Sequence, residues 1–101
     1  MIMKKKYRHI LVNSSAEIDF LNRENERLLK DALLDFMGED RFAGANPRVI
    51  KTIDRNNFVM NCMRGYERDI VLALAFAKEI NGVKTGFYTL KISGTIKGLA
   101  K

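Results

Sequence analysis

Residues 48–64 read RVIKTIDRNNFVMNCMR, two runs of strand-forming residues on either side of Asn56-Asn57. Val, Ile, Thr and Phe suit a pleated, half-buried surface, and Asn tolerates the positive φ of a tight turn. The pattern predicts two antiparallel strands, 48–55 and 58–64, with the asparagines between them. Pro47 stands where the chain leaves a loop for the first strand. This hairpin decides the fold, because it sits between a strand and a helix on one side and a helix and a strand on the other.

Upstream, YRHILVN at 7–13 is rich in strand formers and predicts the first strand. Ser14 stands three residues before Glu17, the spacing of a capping box, so a long helix is expected from there. Ile18, Leu21, Leu28, Leu29, Ala32 and Phe36 share a stripe at helical spacing, and Gly38 is placed to end the helix. Residues 39–46 have no apolar period and read as a surface loop. Downstream, Gly65 breaks the strand pattern. Tyr66, Ile70, Ala73, Leu74, Ala77 and Ile80 form the buried stripe of a second helix, which Asn81-Gly82 is expected to stop. Leu72, Ala75 and Phe76 make this helix apolar almost all round, which calls for burial on several sides or a covering partner. VKTGFYTLKI at 83–92 reads as the fourth strand, and 93–101 as a short basic tail with one helical turn.

Strand, helix, strand, strand, helix, strand most economically makes an α+β, ferredoxin-like sandwich. Its four-stranded antiparallel sheet carries two main helices on one face, the arrangement of RNA-recognition domains. At 101 residues the chain is expected to be one domain, 1–101, with a basic N-terminal arm at 1–6 and a basic C-terminal tail at 93–101.

The chemistry-bearing residues are few. Cys62 is the sole thiol and His9 the sole imidazole, which excludes an internal disulfide and leaves a one-chain zinc site without ligands. His9 lies in a strand-forming run and reads as a strand residue rather than a catalytic one. Cys62 alternates with Phe58 and Met60 and reads as core. The acids lie mostly along the first helix, without the clustered carboxylates a Mg²⁺-dependent nuclease needs, and the spacing of a phosphate-binding loop is missing around Gly94 and Gly98. No apolar run approaches the ~20 residues that span a bilayer, and Lys4-Lys5-Lys6 precedes no signal-type segment, so the expected location is the cytoplasm.

Charge gives the positive signal. The net charge is +6, yet residues 13–40 hold eight acids against Arg23, Arg27 and Lys30, while residues 1–12 and 80–101 hold no acid at all. Such segregation suits a polyanion on one surface and a basic partner on another. With Ile10 and Val12 toward the helices, the other sheet face presents Tyr7, His9, Leu11, Val59, Asn61 and Met63. The aromatic stacking motif of RNA-recognition domains is missing from the third strand, so base stacking is not expected there. That apolar face needs a cover, from the tail or a protein partner. RNA contact is expected from cations on phosphate: Lys4, Lys5, Lys6, Arg8, Arg48, Arg64, Lys91 and Lys97. Ile96 and Leu99, three apart on one turn, are expected to anchor the tail on the sheet or at a subunit interface.

Asn46-Pro47-Arg48-Val49-Ile50, Cys62, the Ala/Leu-rich second helix and above all Ser93-Gly94-Thr95-Ile96-Lys97-Gly98-Leu99 resemble protein component 2 of archaeal ribonuclease P, in order along essentially the whole chain. The sequence departs from that pattern at Asn61, where the family usually has Arg, and at Lys91, where Gly is common. The resemblance implies a non-catalytic subunit of a ribonucleoprotein whose RNA removes the 5′ leader from precursor tRNA. It implies Mg²⁺ at that RNA and no cofactor on this chain. The implied partners are ribonuclease P RNA, precursor tRNA, a TIM-barrel-like protein subunit and other ribonuclease P proteins, without a membrane. The alternative is a ferredoxin-like protein–protein adaptor or regulatory domain with incidental basic charge, which salt-dependent RNA affinity would argue against.

Overall fold

The computed structural model describes residues 7–99. Strand β1 (Tyr7–Ser14) leads to helices α1 (Arg23–Met37) and α2 (Glu39–Ala45), then to β2 (Arg48–Thr52) and β3 (Asn57–Met63). Helix α3 (Glu67–Phe76), the short strands β4 (Glu79–Ile80) and β5 (Val83–Lys84), β6 (Phe87–Ser93) and the single turn α4 (Ile96–Leu99) follow. The main sheet has the order β2-β3-β1-β6, with every neighbouring pair antiparallel. This is the ferredoxin-like order, with α1 and α3 packed together over one face.

Alternation sets the two faces, because successive strand side chains point opposite ways. Ile10, Val12, Phe58, Met60 and Cys62 turn to the helices and meet Leu29, Leu33, Ile70 and Leu74, all essentially without exposure. Phe20, Phe58 and Phe87 form the centre of one end of this core. Their rings lie 4.5 Å apart for Phe20–Phe58 and 6.1 Å for the other two pairs.

The first helix begins later than the capping-box spacing implies. Ser14 is still in β1, and its hydroxyl donates to the Ala16 carbonyl at 2.7 Å, so it caps nothing. The chain stays irregular to Asn22, whose side-chain oxygen accepts from the N–H groups of Glu24 (2.9 Å) and Asn25 (3.4 Å). Ile18 and Phe20 are buried from this loop, and Leu21, assigned above to the helical stripe, is 74% exposed. Gly38, at φ 84°, does end α1, with its N–H on the Leu34 carbonyl at 2.8 Å.

Residues 39–45 form α2 rather than a loop, and Asn46 (φ 44°, ψ 57°) ends it in the left-handed conformation. The helix is held by Phe42 and Ala45 against the core and by a close approach at Gly44. A Cβ on Gly44 would lie 2.8 Å from Cζ of Tyr66 and closer still to its hydroxyl. Gly44→Ala is therefore expected to displace the Tyr66 ring and lower stability by about 1–3 kcal/mol, read from urea melts.

The β2–β3 turn is built differently from the expected positive-φ asparagine pair. Asn46 and Asn81 are the non-glycine residues with positive φ among those described. The turn instead folds around the Asp54 carboxylate, which accepts from the Asn56 and Asn57 N–H groups at 2.8 and 2.9 Å and from Asn57 Nδ2 at 3.0 Å. These bonds hold the Asp54 carboxyl below the usual aspartate range, the Asn57 side chain contributing most. A carboxylate with a depressed folded pKa stabilises above its unfolded value and loses that contribution as pH falls through the folded one. Asp54→Ala is thus expected to lower the thermal midpoint at pH 7, with the gap to the wild type closing below the carboxylate range.

The second long helix also ends early. α3 stops at Phe76, and Ala77 is extended (φ −78°, ψ 116°). Asn81 (φ 52°) and Gly82 (φ 79°) do not stop a helix; they are the two-residue turn of the β4–β5 hairpin, which pairs Glu79 with Lys84 and Ile80 with Val83. The expected strand at 83–92 is consequently split into β5 and β6.

Candidate nucleic-acid interface

The second sheet face can be laid out row by row from the strand register. One row runs Arg48, Asn61, His9, Ser93 across all four strands. The next runs Lys51, Val59, Leu11, Lys91, because bulges at Val49/Lys51 and Leu11/Val12 bring both lysines into line. Tyr7 and Met63 lie beyond the first row, and Asn57, Asn13 and Tyr88 beyond the second. Among the described residues that the register places on this face, none is Asp or Glu. Acids instead populate α1, α2, the first turn of α3 and the loops.

The C-terminal turn covers part of this face. α4 packs on β1 and β6, and Leu99 (7% exposed) and Val59 (1%) are buried outside the main core cluster. The turn is locally braced: Ser93 Oγ accepts from the Thr95 N–H at 3.2 Å, and Thr95 Oγ1 accepts from the Gly98 N–H at 3.0 Å. Gly98 carries no Cβ because the Ser93 hydroxyl occupies that space. Ile96, by contrast, is 41% exposed, so Leu99 is the deeper of the two residues expected to anchor the tail.

Of the expected phosphate-binding residues, Lys4, Lys5 and Lys6 lie outside the described residues. Arg48 and Lys91 share the second face, Lys97 is exposed on α4, and Arg64 is exposed just past β3. Arg8 is elsewhere: it pairs with Cys62 on the helix side of β1, and its Nε lies 3.6 Å from Glu67 Oε2 at the start of α3. Lys51 joins Arg48 and Lys91, exposed on the second face, although the apolar spacing does not point to it. The bulge at Ile50 turns it to the face opposite Val49, and the sequence spacing alone would have put the two on the same face.

Polar groups near this face are not all satisfied. His9 Nδ1 and Asn61 Oδ1 are buried without a hydrogen-bond partner, and Asn61 is 7% exposed overall. Cys62 is chemically quiet: burial, with help from the Glu67 charge, pushes its thiol up to about 12. No group of three or more His, Cys, Asp or Glu among the described residues could hold a metal ion, and no described helix is long and apolar enough to cross a membrane. What the face offers at its surface is cations and hydroxyls on hydrogen-bonded strands, suited to gripping phosphate.

Known proteins are similar to this chain in sequence and in fold. The chain is 30% identical to "Ribonuclease P protein component 2" of Pyrococcus furiosus over 98% of its own length and 83% of that protein's. It is 32% identical to the protein of the same name from Pyrococcus abyssi, covering 98% and 85%. Its fold matches a chain in the cryo-EM structure of yeast Ribonuclease MRP with a TM-score of 0.68 at 10% identity, over 94% of this chain and 79% of that one. Residues 8–101 match the model of the Rpp14/Pop5 family, so all of the sheet but its first residue, together with the C-terminal turn, falls within the match, and the chain belongs to that family.

Proposed function

We propose that this chain is a non-catalytic protein subunit of ribonuclease P, working in the cytoplasm. It supports the RNA that removes the 5′ leader from precursor tRNA, with Mg²⁺ held by the RNA. The observation that carries the reading is the second sheet face: Arg48, Lys51 and Lys91 on rigid strands, with no acid among the described residues there. Such a surface grips phosphates wherever RNA presents its backbone and needs no stacking platform. The helix layer suits protein partners, among them a TIM-barrel-like subunit. On it Phe36 and Phe76 stack at 5.0 Å while 45% and 64% exposed, beside Leu72 at 45%.

The test is reconstitution of precursor-tRNA cleavage from ribonuclease P RNA and its proteins at moderate Mg²⁺, with and without this chain. Omitting the chain is expected to lower the rate at least tenfold, and the chain without RNA is expected to cleave nothing. Turnover by RNA-free protein, or a rate indifferent to the chain, would contradict the proposal.

A further inference from the structure

The cross-strand row Arg48, Asn61, His9 and Ser93 combines a cation at the sheet edge with two buried, unpartnered polar atoms at its centre. Asn61 and His9 face each other across β3 and β1, so their Cβ atoms are about 5 Å apart. The Asn61 amide oxygen is an acceptor, and the imidazole Nδ1 is a second one when the ring carries its proton on Nε2. Buried acceptors without donors are rare in folded proteins, and they mark places where a partner group belongs.

Resting on the reading that this face binds RNA, we propose that Asn61 and His9 read one unstacked guanine, with Arg48 on an adjacent phosphate. Two neighbouring acceptors ask for two neighbouring donors. Guanine supplies them as N1–H and the N2 amino group on its pairing edge, the edge that proteins read in unpaired RNA. Along the pairing edge adenine and cytosine each set a ring acceptor beside their amino group, and uracil flanks its one N–H with carbonyls, so only guanine presents two adjacent donor groups there. Neither atom is exposed in the structure, and α4 is the element packed over β1 and β6. The guanine therefore enters as α4 lifts. α4 is four residues long, follows Gly94, and is held to the sheet through Leu99 while Ile96 stays exposed.

The experiment is fluorescence anisotropy of the full chain with UUGUU, UUAUU, UUCUU and UUUUU RNAs at one low salt concentration. The wild type is expected to bind UUGUU about tenfold more tightly than the other three. Asn61→Leu is expected to erase that preference while keeping the affinity for UUUUU and a thermal midpoint at or above the wild type's, because it removes an unsatisfied buried acceptor. Asn61→Asp, which keeps an acceptor oxygen, is expected to retain the order of the four. Leu99→Ala, which loosens α4, is expected to tighten UUGUU several-fold. Equal wild-type affinities for the four RNAs, or a guanine preference surviving in Asn61→Leu, would overturn the proposal while leaving phosphate binding intact. Failure to bind any of the four would overturn the RNA reading itself.

Discussion

Phe58→Ala is expected to cost about 3–5 kcal/mol, the usual range for removing a fully buried aromatic ring. Phe58 is 2% exposed, and its ring touches both other members of the cluster, Phe20 at 4.5 Å and Phe87 at 6.1 Å. Those two arrive from different places: Phe20 from the irregular segment before α1, Phe87 from the start of β6. Emptying the centre removes one of the buried attachments of the loop before α1 and leaves a cavity in the core. In a domain this size each 1 kcal/mol moves the thermal midpoint by about 4–8 °C, so a drop of 12 °C or more is expected by calorimetry. A loss below about 1 kcal/mol would mean that the loop does not deliver Phe20 to Phe58 as described.

Arg48, Lys51 and Lys97 replaced together by Gln should cripple RNA binding without touching the fold. All three are exposed. At about 1 kcal/mol for each phosphate contact the affinity falls ~10²-fold. With about four phosphates contacted at once, the wild type is expected to show a slope of log affinity on log salt of about −3 to −4, and the triple variant a slope shallower by about 2–3. The same charge change made on the helix layer, by replacing the exposed Arg23 of α1, Arg41 of α2 and Arg68 of α3, is the control. It is expected to keep the wild-type slope. A ligand-sensing or adaptor domain with incidental charge would show the two triple variants behaving alike.

The two central strands, β1 and β3, were legible because the register between them is unbroken. Ile10 and Val12 alternate with His9 and Leu11, and Phe58, Met60 and Cys62 alternate with Val59 and Asn61, so both faces can be assigned from sequence. The errors sit where one local signal serves two structures. Asn81-Gly82 supplies positive φ equally well to a helix stop and to a hairpin turn, and only the pairing of Ile80 with Val83 decides between them. Ser14 fits a helix cap by spacing, yet the strand continues through it, and its hydroxyl is taken by a backbone carbonyl two residues on. α2 carries no periodic stripe because contacts from elsewhere, Tyr66 on Gly44 above all, hold it in place.

At the candidate site, the segregation of charge was readable and its geometry was not. Lys91 in the cationic C-terminal part and Arg48 are far apart in sequence, and the sheet order β2-β3-β1-β6 puts them on one surface. Arg8 shows the reverse: it adjoins the basic arm in sequence, yet lies by Glu67 on the helix side. Lys51 reaches the face through a bulge, which leaves no mark in the spacing of apolar residues.

The most direct test of the account is where the RNA lies in the assembled ribonucleoprotein. A photo-crosslinking phenylalanine analogue placed at Tyr88 on the second sheet face, and in a separate chain at Phe76 on the helix layer, samples the two surfaces; both side chains are well exposed, at 58% and 64%. Tyr88 is expected to crosslink to ribonuclease P RNA, and Phe76 to protein. RNA crosslinked from Phe76 and not from Tyr88 would contradict that placement of the RNA.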